Sequence, residues 1–361
     1  MKAVQPDAAL YPWQLEPKLA SAIWGGDELV RDYGKHGDPH AKIGESWECW
    51  DADAVTNGTL KGSTIAMLRE RLGAEFLGDL EPTQIFPVLT KIITAHDWLS
   101  VQVHPTDAYA QRVEHQRVGK TECWFVMAAR ADAELVVGWT RDTSRAEYER
   151  RVGDRTLAEI LRKVPVKSGD TVYVPSGMVH AIGPGVTVFE TQQASDLTYR
   201  LFDWNRVGLD GKPRELHVAK AADVLDYHAG GQATLTQIDY HFEGLDRTAL
   251  IADQRFTVER VIATTDPASI ATDGRPLIIM SLEHPLNVDC AGWSTELRPY
   301  QTVLVPAGAG SCSVRSAESQ APFLFVTPAR SADQLATRLL ASGIAQPRID
   351  AFNAQFRALE P

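Results

Sequence analysis

The chain has little cysteine, no long apolar run and no surplus of positive charge. Its 361 residues include four cysteines, Cys49, Cys123, Cys290 and Cys312, and none forms a CxxC pair. That excludes a zinc ribbon and a CxxC redox motif, and scattered thiols in a chain this long point to a reducing compartment. No apolar stretch approaches the roughly 20 residues that span a bilayer. The opening Met1-Lys2-Ala3-Val4-Gln5-Pro6-Asp7 lacks the apolar segment of a secretion signal. A cytoplasmic protein with no membrane partner is expected. Asp and Glu outnumber Lys and Arg by 47 to 36, a net charge of −11. A nucleic-acid partner is not expected, because phosphate backbones are repelled at long range. A phosphorylated small molecule stays open, since it needs only a local group of Lys and Arg. No GxGxxG follows a strand pattern and no G-x-S-x-G elbow occurs. Dinucleotide binding and serine-type hydrolysis therefore lack their signatures.

What is present is a series of short strand patterns divided by Gly and Pro turns. They include Trp98–His104, Lys120–Met127, Leu135–Trp139, Val166–Val174, Val179–Ile182, Thr187–Gln192 and Leu197–Trp204. Few helical stretches interrupt them, which predicts a mainly all-β barrel or sandwich and disfavours doubly wound α/β. Helical spacing of Ile65, Leu68, Leu72 and Phe76 predicts a helix from Ser63 to Gly78, capped by Ser63 or Thr64. Ser144-x-x-Glu147 and Thr156-x-x-Glu159 read as capping boxes of two short helices. Residues 106–118 read as a short helix or loop, and Ala332–Leu340 and Ile349–Leu359 as helices.

The length predicts two domains. A composition change at Gly230-Gly231 places the boundary there, giving domains 1–230 and 231–361. An internal repeat fits two barrels of one kind. Gly169–Gly177 aligns without gaps on Tyr300–Gly308, with Thr, Val, Val, Pro and Gly matching. Carried forward, this register sets Ser311 where the first copy has His180, so the second copy lacks that side chain.

The candidate chemistry lies in the first copy. In Leu99-Ser100-Val101-Gln102-Val103-His104-Pro105, alternation puts Val101 and Val103 on one face and Gln102 and His104 on the other. A Gln and a His on a strand are more often solvated than liganding, so the case rests on partners. Lys120, Glu122 and Trp124 share one strand face, and His180 follows a Pro-x-Gly turn at a strand end. Two imidazoles, a carboxylate and an amide oxygen suit one Zn²⁺. Lys91, Lys120 and Arg200 supply basic groups for an anion or a developing oxyanion. Glu45 and Glu48 lie among tryptophans, where a packed strand edge is the plainer reading and a polar cavity wall the functional one.

Read together, several motifs resemble the type I mannose-6-phosphate isomerases. They are Gln102-Val103-His104-Pro105, Lys120-Thr121-Glu122, Pro175-Ser176-Gly177-Met178-Val179-His180-Ala181, Glu190-Thr191-Gln192-Gln193 and Tyr199-Arg200-Leu201. Trp24-Gly25-Gly26 and Gly44-Glu45-Ser46-Trp47 look like that family's N-terminal elements. The likeness is greatest to the short bacterial form and covers residues 10–225 well. It implies two cupin-like jelly-roll β-barrels with a few short helices. The first would be catalytic, and the second degenerate, without metal ligands, ending in a helical segment. It implies Zn²⁺ held by Gln102, His104, Glu122 and His180, a catalytic role for Arg200, and substrate contacts for Lys91, Lys120 and Arg200. The long enzymes carry His-Lys-Pro-Glu around the ligand carboxylate, whereas here it is Gly119-Lys120-Thr121-Glu122.

The implied reaction interconverts mannose 6-phosphate and fructose 6-phosphate through a cis-enediolate, with Lys120 or Glu48 relaying protons. Two alternatives remain at this point: isomerisation of another aldose or aldose phosphate, and a non-catalytic barrel that senses sugar phosphates. A sugar phosphate is the expected partner, and the chain is expected to act as a monomer or homodimer.

Overall fold

The computed structural model describes residues 10–80, 85–208, 211–229, 233–329 and 331–357. The alternating segments form strands, and the strands gather into four sheets. A six-stranded sheet runs in spatial order Lys18–Gly26, Ile43–Cys49, Val88–Thr94, Val186–Gln193, Glu122–Ala129 and Thr171–Val174. It faces a five-stranded sheet ordered Tyr199–Phe202, Val101–Val103, His180–Ile182, Glu134–Trp139 and Leu161–Pro165. Between them lies a core of Ile93, Trp124, Val172 and Val188 from the first sheet and Leu135, Val137 and Ile182 from the second.

The second half repeats the plan. Its larger sheet is ordered Ile238–Phe242, Leu245–Ala252, Phe256–Ala263, Ala321–Pro328, Leu277–Ser281, Thr302–Val305 and finally Trp13–Gln14. Strand for strand, the first six follow the order of the six-stranded sheet. The four-stranded partner, Ala268–Ala271, Ser311–Arg315, Leu286–Cys290 and Trp293–Leu297, matches the last four strands of the five-stranded one. The chain is thus mainly β, two barrels of one topology, as the repeat implies. A separate core of Val261, Leu277, Phe323, Ile270, Val288 and Val314 fills the second barrel.

Two compact units result, and neither is contiguous. Among the described residues, one comprises 10–18, 47–89 and 236–357, the other 19–46 and 90–235. The expected cut differs from this division. Gly230-Gly231 lies outside the described residues, and the 10–18 and 47–80 segments belong with the C-terminal half. Strand pairing and aromatic packing explain this. Trp13 pairs with Leu304, and its ring meets Phe76, which stacks on Phe86.

Helices are short and locally specified. Thr64 Oγ1 accepts the Met67 N–H and starts Ile65–Leu72. The expected single helix to Gly78 is broken at Gly73, whose φ of 50° is left-handed, and resumes as Ala74–Leu77. Ser144 caps Arg145–Gly153 by accepting from the Glu147 N–H. Thr156 makes no such bond, and Leu157–Ile160 is a 3₁₀ turn instead of a helix. Residues Asp107–Tyr109 are helical and Ala110–Glu114 continue as a π turn. The tail forms Ala332–Ala341 and Gln346–Arg357. Among the described residues, no helix is long and apolar enough to cross a membrane.

Register decides where polar groups go. Val101 and Val103 are fully buried against Tyr148, Leu201 and Ala221 on the outer side of the five-stranded sheet. Burial of each contributes about 1.5–3 kcal/mol. A one-residue slip would forfeit both and turn Gln102 the wrong way. Close approach of neighbouring strands does the same for Trp24. A methyl on Gly44 would overlap the Trp24 ring, and one on Gly25 would lie 2.6 Å from the Gly44 nitrogen. Gly44→Ala is therefore expected to destabilise the protein by about 1–3 kcal/mol through overpacking. A denaturant-unfolding comparison with the parent protein checks this.

Candidate metal centre

Three adjacent strands bring one row of side chains into register. Gln102 pairs directly with His180 on one side and with Arg200 on the other. Directly opposed residues in such pairs have Cα atoms about 4.5–5.5 Å apart. Glu122 opens a strand of the facing sheet, and Lys120 precedes it by two residues, on the same face.

His104 Nε2 lies 3.2 Å from Glu122 Oε2, and His180 Nε2 lies 3.4 Å from Glu122 Oε1. All three residues are buried, and their ligand atoms lie within 4.8 Å of one another. Each imidazole spends its Nδ1 on a backbone carbonyl, His104 on Leu197 and His180 on Met178, both at 2.9 Å. That fixes the tautomer with Nδ1–H donating and the Nε2 lone pair aimed inward. His104 Nε2 has no hydrogen-bond partner among the described residues. Burial, helped by the Lys120 ammonium, holds His104 down at about 3, against the pull of Glu122. Burial likewise lowers His180. For Glu122, burial favours protonation, but the Lys120 ammonium prevails and keeps it ionised, well below its usual range.

Two neutral imidazole lone pairs converging on a carboxylate repel one another unless a cation joins them. The donor set therefore fits a divalent ion such as Zn²⁺. Gln102 Nε2 donates to Ser100 Oγ at 3.1 Å, so its amide oxygen is the atom it could offer beside this set.

A cavity of about 670 Å³ opens over this centre. Gln102, Glu122, His180, Lys91, Lys120 and Arg200 all line it. Lys120 Nζ sits 2.9 Å from Glu122 Oε2. Burial opposes its charge, but Glu122 and Glu190 outweigh burial and keep its proton held more tightly than usual. Lys91 lies 3.2 Å from Glu45 Oε2 and 3.6 Å from Glu190 Oε1. Arg200 Nε donates to Ser100 Oγ at 3.3 Å and its Nη1 to the Glu215 carbonyl at 2.9 Å.

Glu48 is not part of this constellation. It lies three residues beyond Glu45 on the same strand, and an odd separation points it to the opposite face. Its buried carboxylate accepts from the Thr302 hydroxyl at 3.3 Å, and it does not line the cavity. Glu45 does line it, so the polar-wall reading applies to Glu45 alone. Sequence reasoning passed over Ser100, Asp196 and Arg214, which also line the cavity. Asp196 stands four residues before Arg200 and was within reach, but Arg214 carries no local signal. Glu190, quoted only as part of a motif, accepts from Trp124 Nε1 at 2.9 Å. Burial, then the Glu122 charge, raises its affinity for a proton.

Residues 13–140 match the phosphomannose isomerase type I catalytic domain. Over 252 residues the chain is 39% identical to a mannose-6-phosphate isomerase of Streptococcus mutans, spanning 68% of this chain and 77% of that protein. A crystal structure of the mannose 6-phosphate isomerase from Bacillus subtilis is 30% identical, with a TM-score of 0.79, covering 88% of this chain and 99% of that one. This chain belongs to the type I phosphomannose isomerase family. A zinc-bound mannose 6-phosphate isomerase shares the family fold at 13% identity, with a TM-score of 0.70 over 89% of this chain and all of the other.

Titration of metal-stripped protein with Zn²⁺ against a chromophoric chelator should saturate at one ion per chain. His180→Ala should weaken that binding by more than the ~10–100-fold typical for loss of an outer partner. Gln102→Leu should weaken it by a smaller factor.

Proposed function

We infer that this chain is an aldose–ketose isomerase that interconverts mannose 6-phosphate and fructose 6-phosphate. One observation carries the reading: the in-register row Arg200–Gln102–His180, with His104 beside it, meets Glu122 of the facing sheet next to a cavity lined by further cations. Gln102, His104, Glu122 and His180 would hold one Zn²⁺. When bound, the ion would supply a Lewis-acid charge that stabilises negative charge developing on a substrate oxygen.

Removing the proton at C2 builds enediolate charge, and stabilising that charge is usually the largest catalytic term. Arg200 is suited to it. Two hydrogen bonds hold its guanidinium, and although burial and Arg214 lower its proton affinity, an arginine keeps its charge. Lys120, held protonated, is suited to donate to a substrate oxygen. Glu190, with raised proton affinity, is the better-placed acceptor. Lys91 and Arg214 add positive charge for the phosphate. The cavity's four cations, Lys91, Lys120, Arg200 and Arg214, are matched by the acids Glu45, Glu122, Glu190 and Asp196. A divalent ion would tip this balance positive, which suits a phosphorylated sugar over a neutral one. The same reading assigns the chemistry to the first barrel and a non-catalytic part to the second. It places the enzyme in the cytoplasm, supported by four buried thiols, acting as a monomer or homodimer.

A coupled assay for fructose 6-phosphate formation tests the reading. Activity should vanish on chelation and return with Zn²⁺, and mannose should react far more slowly than mannose 6-phosphate. A protein that binds the sugar phosphate without turnover would be a sensor instead. Arg200→Ala should lower kcat by about 10²–10³-fold with a much smaller change in KM. Near-normal turnover in that variant would remove Arg200 from the chemistry.

A further inference from the structure

The second barrel keeps a mouth where the first has its site, but with other chemistry. Strand register gives the correspondence. Glu122 pairs with Val174, and Leu277 pairs with Val305 at the matching place in the repeat. Leu277 thus stands for Glu122, and Ser311 for His180, so two of the four candidate ligands have no counterpart there. Two residues on, Trp124 pairs with Glu190 and Ile279 with Phe325, so Phe325 stands for Glu190.

A cavity of about 490 Å³ remains there, lined among others by Phe242, Arg247, Ile270, Phe325, Thr337 and Arg338. Arg247, Ile270 and Phe325 come from the strands that correspond to those of Glu45, Gln102 and Glu190 in the first barrel. Arg338 reaches in from the Ala332–Ala341 helix.

The charges around this cavity are unevenly paired. Glu259 is fully buried. It takes Arg338 Nη2 at 2.5 Å, lies 3.7 Å from Arg247 Nη1, and accepts from the Tyr240 hydroxyl. Burial favours a protonated Glu259, but the two arginines prevail and keep it ionised, while burial keeps Tyr240 neutral. Two guanidiniums therefore share one buried carboxylate, and Arg338 takes the closer place, so Arg247 is the less fully paired of the two. Asp273, 3.7 Å from Arg338 Nη1, and Glu243 stand at the exposed rim. The Nε atoms of Arg247 and Arg338 are buried without a hydrogen-bond partner among the described residues. The Arg247 guanidinium also lies over the Phe325 ring, 5.6 Å from its centroid.

A buried cation without a full counter-charge is costly, and an entering anion relieves that cost. Arginine's planar fork matches a carboxylate. A single weakly paired guanidinium suits a monoanion, and the rim acids oppose a phosphate dianion. Phe242, Ile270 and Phe325 offer apolar walls for a carbon body. We propose that the mouth of the second barrel binds a small monocarboxylate with a short apolar body, its carboxylate on Arg247 and its body against Phe242, Ile270 and Phe325. The proposal goes beyond the isomerase reading and does not rest on it.

Butyrate, its neutral isostere butyramide, and inorganic phosphate are the probes. Each is titrated into the full-length protein while the arginine Nε–Hε signals are followed by NMR. Butyrate should shift the Arg247 signal saturably, butyramide should bind about tenfold more weakly or worse, and phosphate should leave this signal unmoved. Thr337→Trp, at an exposed helix position, fills the cavity while leaving the charge cluster intact, and should abolish the butyrate shift. Arg247→Met should abolish binding, and Arg247→Lys should restore it in part. Equal response to butyrate and butyramide, a stronger response to phosphate, no saturable shift, or butyrate binding unchanged in Thr337→Trp would each overturn the proposal.

Discussion

Two buried imidazoles aim their Nε2 lone pairs at the two oxygens of one carboxylate, and the rest of the first barrel is arranged around that conflict. Left to itself, such a cluster is repulsive. It persists because each imidazole is held from behind by a backbone carbonyl, and because Lys120 supplies positive charge at 2.9 Å from Glu122. A site built this way stores its demand for a cation in rigid structure. The carbonyls of Leu197 and Met178 set the tautomers, so the surrounding loops are as much part of the centre as the ligands themselves.

The electrostatics of the whole chain and of the cavity run in opposite directions. The chain carries a net charge of −11, while the cavity gathers two lysines and two arginines beside the His104–Glu122–His180 cluster. Long-range attraction of a phosphorylated sugar is not the device; local complementarity is. Each cavity lysine or arginine is held by a partner in turn: Lys91 by Glu45, Lys120 by Glu122, Arg200 by Ser100 and Glu215, and Arg214 by Asp203. Groups held in this manner need little reorganisation when charge develops on a substrate.

The two barrels show how one topology carries different contents. Their sheets follow the same strand order, yet the positions of Glu122 and His180 hold Leu277 and Ser311 in the second copy. An ion pair network of Arg247, Glu259 and Arg338 occupies the second mouth instead. Backbone pairing sets where a mouth forms; a few inward side chains set what it can hold.

Much of this was legible in the sequence, and for definite reasons. Alternation at period two placed Gln102 and His104 opposite Val101 and Val103, and the pleat enforced it. The gapless match of Gly169–Gly177 with Tyr300–Gly308 exposed the duplication, because both copies need the same turn and strand. The ligand types and the motifs around Glu122 and Arg200 indicated a zinc isomerase before any coordinates. Other features are not local and could not be read that way. Assignment of 10–18 and 47–80 to the C-terminal half depends on pairing between Trp13 and Leu304, nearly the whole chain apart. The Arg200–Gln102–His180 row depends on register between strands that are neighbours in space only. Glu45 and Glu48 look alike in sequence, and only the burial of each face separates a cavity wall from a hydrogen bond to Thr302. Sequence alone determined which side chains could meet a metal ion and which strands they ride on; tertiary pairing decided which of them meet, because register and burial are properties of contacts that the linear order does not contain.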